Sequence, residues 1–322
     1  MKDDNNYHLS SFSSHLIRVQ LADITSKLSN SHAMKYKRRE FLRLSGSVAT
    51  GLALAPLACK LMPKETGDIK EFGLQLYTLR DVLPKDVKGT LKEVSLAGYK
   101  QIESYQHAEL GMFWGMTNKD FKNYLNSLDL TVVSSHCDIN KDFQKKVDEA
   151  AAINMKYLIC PSIDAQKTAD DYKKIAAQFN QCGDICKKAG LKFAYHNHDH
   201  DFKVVDGQIA QDIYMQNTDP NLVDFEMDIY WVVTAKQDPQ AWLRKYSQRF
   251  RFCHIKDRKK DTADREVSVD LGTGSIDFSK VLKTAKDNGM QYFIVEQERY
   301  DNSTPIQAIR TDAEYMKQLK LS

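Results

Sequence analysis

Residues 192–198 read Lys-Phe-Ala-Tyr-His-Asn-His, residues 222–228 Leu-Val-Asp-Phe-Glu-Met-Asp, residues 251–256 Arg-Phe-Cys-His-Ile-Lys and residues 291–296 Gln-Tyr-Phe-Ile-Val-Glu. Each is a short, largely apolar run that ends in groups able to bind protons or metal ions. In an extended chain residues two apart share a face. His196 and His198, Glu226 and Asp228, His254 and Lys256, and Glu296 and Glu298 therefore fall in pairs toward the C-terminal ends of four predicted strands. Upstream, segments 72–79, 99–105 and 130–136 repeat the pattern with Gln75 and Tyr77, Gln101 and Glu103, and Ser134 and His136, and 156–160 adds a strand, making eight.

Helical start and stop signals separate these strands. Thr117 with Asp120 forms a capping box, and Asp238-Pro239 and Thr304-Pro305 each place a cap before a proline at the first helical position. Gly98, Gly190 and Gly289 stand where helices stop before the next strand. The strand starts lie about 31 residues apart, the length of a βα unit, and eight units in about 250 residues predict a closed parallel (β/α)8 TIM barrel of the α/β class. An open doubly wound sheet is disfavoured, because no glycine-rich phosphate loop follows the first strand. In a barrel of this type the site sits at the C-terminal ends of the strands, and a purely structural interior would carry branched apolar residues there.

Four of the six histidines beyond residue 60 (His136, His196, His198, His254) fall at predicted strand ends, together with Asp228 and Glu296. Imidazoles and carboxylates without a thiolate in the pattern suit one divalent cation of the Mn²⁺, Co²⁺, Fe²⁺ or Zn²⁺ type.

Several blocks carry a resemblance: Phe72-Gly-Leu-Gln-Leu-Tyr77, Ala194-Tyr-His-Asn-His198, Glu226-Met-Asp-Ile-Tyr-Trp231, His254-Ile-Lys-Asp257, Gly272-Thr-Gly-Ser-Ile-Asp-Phe278 and Val295-Glu-Gln-Glu298. In this order they resemble the xylose-isomerase-like barrels of the sugar phosphate isomerase/epimerase family, over residues 72–298. The resemblance implies a metal held by residues from strands five to eight, here His196, Asp228, His254 and Glu296. Beside that ligand set, Glu296, His198 and Lys256 are candidate catalytic groups, since imidazole titrates near neutral pH and a Lys crowded by a metal can be depressed, and Tyr77, Glu103, His136 and Trp231 are candidate sugar contacts. His196 departs from the family, which often has Glu at that place. Epimerases of the family exchange a proton between two glutamates on opposite faces of a ketose, so the departure keeps a dehydratase or lyase, expelling a β-substituent from a keto-sugar or keto-glycoside, beside the isomerase/epimerase reading. Two rivals from other classes are an endonuclease-type phosphodiesterase on the same barrel and a non-catalytic sugar-binding barrel.

Net charge opposes the nuclease. Of 46 Lys/Arg and 43 Asp/Glu, residues 1–59 hold 8 and 4, leaving 38 against 39 in the remainder. That balance gives no electrostatic footprint for nucleic acid. Residues 37–43, Lys-Arg-Arg-Glu-Phe-Leu-Arg, precede an uncharged apolar run to Ala58 that is too short to span a bilayer. This resembles a twin-arginine export signal and implies a periplasmic or envelope location. The expected layout is an upstream extension at 1–33 with the start at Met34, a signal at 34–59, a linker at 60–71 and one catalytic barrel at 72–322. Pro56-Leu-Ala-Cys59 makes Cys59 a candidate lipid anchor. Cys137, Cys160, Cys182, Cys186 and Cys253 lack paired spacing, which predicts buried thiols rather than disulfides. Export favours an unphosphorylated sugar as the small-molecule substrate.

Overall fold

The strands form where aromatic and aliphatic residues alternate, and they close as expected. In the computed structural model, which describes residues 68–301 and 303–322, eight parallel strands make one barrel. They are β1 (Gly73–Gln75), β2 (Gln101–Tyr105), β3 (Thr131–His136), β4 (Tyr157–Cys160), β5 (Lys192–His196), β6 (Val223–Asp228), β7 (Phe250–Ile255) and β8 (Tyr292–Val295). β8 returns to β1 through Gly73↔Ile294 and Leu74↔Val295, so the sheet has no edge. The proposed signal, Met34 and Cys59 lie outside the described residues.

The predicted caps operate. Thr117 accepts the Asp120 N–H, Asp238 the Gln240 N–H and Thr304 the Gln307 N–H, each satisfying a donor that a helix start leaves open. The longest helix, Ala169–Lys188, has Asp170 and Asp171 in its first turn and Lys187 and Lys188 in its last, signs that complement the helix dipole. Its buried face runs through Tyr172, Ala176, Phe179, Cys182, Gly183 and Cys186. Phe179 stacks on Tyr195 of β5 at 4.8 Å. Gly183 lets the helix meet the approach to β6, since a Cβ there would lie 2.4 Å from the Leu222 carbonyl oxygen. All five described cysteines are free and buried, as expected.

Inside the barrel a small apolar plug, separate from the larger core beneath the helices, comprises Val133, Tyr157, Ile159, Ala194, Phe252 and Ile294, with Tyr292 packed against it. The Phe252 and Tyr292 rings stack at 4.3 Å, and Tyr157 meets Phe252 edge-on at 4.7 Å. Below the plug the Tyr157 hydroxyl donates to Asp224 at 2.7 Å. Above it the interior turns polar.

The first strand is shorter than expected. β1 ends at Gln75, whose side chain accepts the Tyr77 N–H at 3.1 Å and starts a 3₁₀ turn over Leu76–Leu79. Tyr77 thus does not share a strand face with Gln75; the turn swings it outward to 40% exposure. β5 likewise stops at His196, and His198 opens a 3₁₀ turn over Asp199–Phe202, held by its own N–H donating to Asp201 Oδ2 at 2.8 Å.

Candidate active site

One step along each strand from the apolar plug come the charged residues. Phe252 of β7 is followed by His254 and then Lys256, Ala194 of β5 by His196, and Ile294 of β8 by Glu296. β6 contributes Glu226 and Asp228. Strand geometry alone stacks these layers.

The charged layer contains two overlapping ligand sets, His136–His196–Glu226–His254 and Asp228–His254–Glu296, whose donor atoms within each set lie within 4.8 Å of one another; all are buried. Glu226 Oε2 takes His136 Nε2 at 2.7 Å and His196 Nδ1 at 2.9 Å. His254 Nε2 lies 2.7 Å from Glu103 Oε1, and its Nδ1 lies 3.2 Å from Glu296 Oε2. Lys256 Nζ is 3.0 Å from Asp228 Oδ2, 2.8 Å from Glu296 Oε2 and 2.6 Å from Glu298 Oε1. Asn197 ties β5 to β6: its amide donates to the Asp228 carbonyl, and its carbonyl accepts the Asp228 N–H.

Electrostatics follow from burial set against these contacts. Burial would raise Glu103, but His136 and His254 overcome it and hold the carboxyl below its usual range. Burial and then the Glu103 charge push Glu226 up to about 7. Against burial, Glu103 and Glu226 lift His136 to about 9. His196 is pushed well down by burial and then by the neighbouring His254. Burial also lowers His198, to about 4. Lys256 stays charged despite burial because Asp228, Glu296 and Glu298 surround it.

Glu226 Oε1 is buried with His254 Nε2, 3.4 Å away, as its nearest imidazole, and Asp228 Oδ2 is buried against the Lys256 ammonium at 3.0 Å with imidazoles of His196 and His254 at 3.8 Å. Several buried carboxylates crowded together are costly unless cations meet them. A divalent cation accepts that donor set of imidazole nitrogen and carboxylate oxygen, so the residues fit a metal.

A cavity of about 560 Å³ opens onto this layer, within the size range of small-molecule sites. It is lined by Tyr77, His136, His196, His198, Trp231, Lys256 and Glu296 of the expected set, with Glu298, Tyr105 and Gln106 in addition. Asp228 and His254 lie behind that lining, in the ligand sets. Glu103 is a correction: it is absent from the lining and fully buried, accepting from Gln75 Nε2 at 2.8 Å and Ser134 Oγ at 2.6 Å. It braces His254 from below instead of facing a sugar. Within the expected ligands, Asp228, His254 and Glu296 converge, while His196 falls in the other set, its Nε2 3.8 Å from Asp228 Oδ2. Glu226 is the ligand candidate the sequence reading passed over, although its place two residues before Asp228 was the signal. His136 also joins that set.

Comparison with known proteins agrees with this architecture. A family model described as "Xylose isomerase-like TIM barrel" matches residues 91–319. The chain is 31% identical over 146 residues to an inosose dehydratase of Clostridium perfringens, covering 40% of this chain and 48% of that protein, so it spans about half of that relative. It is 23% identical over 250 residues to an inosose dehydratase of Lacticaseibacillus casei, covering 66% of this chain and 81% of that protein. A solved sugar phosphate isomerase/epimerase from Parabacteroides distasonis superposes with TM-score 0.68 at 28% identity, covering 77% of this chain and 97% of that one. The IOLI protein with a binding zinc atom shares the fold at TM-score 0.63 and 17% identity, over 77% of this chain and 97% of that one. The match to the family model covers most of the chain, the closed barrel is the family's fold, and the protein belongs to the xylose isomerase-like TIM barrel family.

Proposed function

We propose that this protein is a metal-dependent lyase of the dehydratase type, removing a proton next to the carbonyl of an unphosphorylated keto-sugar or keto-cyclitol and expelling a β-substituent. The observation that carries the reading is the buried layer of imidazoles and carboxylates, His136, His196, Glu226, Asp228, His254 and Glu296, whose donor atoms converge beneath a cavity of small-molecule size. Asp228, His254 and Glu296, with His196 beside them, would hold the cation. When bound, it supplies a Lewis acid that polarises the carbonyl and stabilises the charge that develops on its oxygen.

The chain's own residues supply the rest. His198 lines the cavity, and its buried Nδ1 has no partner among the described residues, so this imidazole is our candidate proton acceptor. The Lys256 ammonium, held among three carboxylates, is our candidate to stabilise negative charge developing on a substrate oxygen. Tyr77 and Trp231 give the cavity apolar surface for a ring.

Lys256 is the one Lys or Arg among the described lining residues, and its charge is already matched by Asp228, Glu296 and Glu298. A phosphate would find no unmatched cation, which favours an unphosphorylated substrate. The names of the two dehydratase relatives favour elimination. So does His196, because its Nδ1 is engaged by Glu226 where a second proton-exchanging base would stand in an epimerase. The isomerase/epimerase reading keeps the support of the Parabacteroides relative. For location, the proposal of twin-arginine export rests on residues 34–59 alone.

The test is NMR of the Mn²⁺-loaded protein with inososes, ketohexoses and keto-glucosides in D₂O. Elimination product with deuterium exchange at the carbon next to the carbonyl is expected. A product epimerised or isomerised without loss of a substituent would favour the second reading, and no exchange with any of them would remove both.

A further inference from the structure

A second chamber of about 230 Å³ adjoins the cavity and shares His198, Trp231, Lys256 and Glu298 with it. Trp231 is the partition. It is 6% exposed yet lines both spaces, with Lys256 Nζ at 5.0 Å and the Arg265 guanidinium at 5.2 Å from its ring centre. The outer wall comes from residues 265–268, on the way into the short antiparallel ladder that pairs Asp257–Arg258 with Ser268–Val269.

That wall is anchored and functionalised. Arg265 donates to Asp199 Oδ1 at 2.7 Å, and its carbonyl accepts the Tyr230 hydroxyl, yet its side chain remains 53% exposed. Ser268 Oγ accepts the N–H groups of Glu298 and Arg299 at 2.9 and 3.0 Å, which leaves its own proton to donate. Aromatic surface from Tyr230 and Trp231, a guanidinium, the Glu266 carboxylate and a hydroxyl thus surround one space. The guanidinium is matched by Asp199 and, at 3.6 Å, by Glu266, so the chamber, like the main cavity, offers no unmatched cation to an anion. This is the chemistry that holds a neutral, polyhydroxylated or aromatic ring: flat apolar faces and a few directed polar groups.

We propose that the annex is a second-ring subsite and that the substrate is a glycoside, its reacting ring in the main cavity and its neutral aglycone ring in the annex. Which ring reacts rests on the lyase reading above; the existence of the subsite does not.

Calorimetric titration of the Mn²⁺-loaded protein with methyl and 4-nitrophenyl glucosides, both anomers of each, separates the two. One 4-nitrophenyl anomer is expected to bind at least tenfold more tightly than its methyl counterpart, and Arg265→Ala is expected to reduce that advantage to threefold or less. Equal affinities in the wild type, or an advantage that Arg265→Ala leaves intact, would overturn the subsite. A retained aryl advantage in a protein that fails the D₂O exchange test would strike the lyase reading alone.

Discussion

Two layers of the same barrel, one side-chain step apart, behave as opposites. The lower is an apolar plug of Phe252, Tyr157, Ile159 and Ile294. The upper is a buried cluster of His136, His196, Glu226, Asp228, His254 and Glu296. Both are buried and they share strands, so the contrast comes from side-chain chemistry. Burying Phe252 gains free energy by removing apolar surface from water, roughly 1.5–3 kcal/mol for such a side chain. Burying Glu226 costs free energy unless its charge is met, and one of its oxygens has only His254 Nε2, 3.4 Å away, to meet it. A fold retains such a layer for chemistry, and the plug supplies the stiffness that holds it.

The comparison can be broken at its strongest point by His254→Ala. This imidazole belongs to both ligand sets, so the substitution should abolish stoichiometric metal binding and lower kcat/KM about 10³-fold or more, equal to about 4 kcal/mol of transition-state stabilisation. Circular dichroism should still report a folded barrel. Loss of the fold, with metal affinity unchanged in whatever remains folded, would reverse the roles assigned to the layers.

Phe252→Ala is the mirror experiment in the plug. Its ring packs on Tyr157 and Tyr292, so chemical denaturation should show a loss of about 3–5 kcal/mol. The folded fraction should bind metal with wild-type stoichiometry. Next comes Gly274→Ala. Asp257 gathers the N–H groups of Arg258, Gly272, Gly274 and Ile276 at 2.8 to 3.2 Å, and a Cβ at Gly274 would sit 2.2 Å from its carboxylate. The expected cost is about 1–3 kcal/mol of stability without a change in metal stoichiometry. Smallest is Tyr157→Phe, below the plug: Asp224 loses one donor but keeps Lys192 and Arg251 nearby at 3.4 and 3.7 Å, so about 1 kcal/mol is expected by denaturation.

The barrel was legible because period-two runs ending in polar residues recur at βα spacing, and because Thr117, Asp238 and Thr304 are caps whose mechanism is local. Height within the barrel was less legible. Glu103 and His136 both fall toward the ends of predicted strands, yet Glu103 lies under the site and His136 lines it. Glu103 pairs with Ser134 and only Tyr105 with His136, and an irregularity where the register shifts from Val132 to Ser134 sets one residue of that offset. Such a shift arises from pairing between strands and leaves no mark on either strand alone. Tyr77 was misplaced for a local reason: the Gln75 side chain offers its neighbour's N–H a turn instead of a ladder. Glu226 shares a strand face with Asp228, and its place among the ligands comes from His136 and His196, which only the closed barrel brings to it.

The central claim is that the upper layer is a divalent-cation site. Its most direct test is calorimetric titration of chelator-treated protein with Mn²⁺, wild type beside Asp228→Asn. The wild type should take up one ion per chain, and the variant, which removes the charge of a carboxylate in the Asp228–His254–Glu296 set, should bind at least 100-fold more weakly. A wild-type protein that takes up no ion, or a variant that binds as tightly as the wild type, would contradict the account.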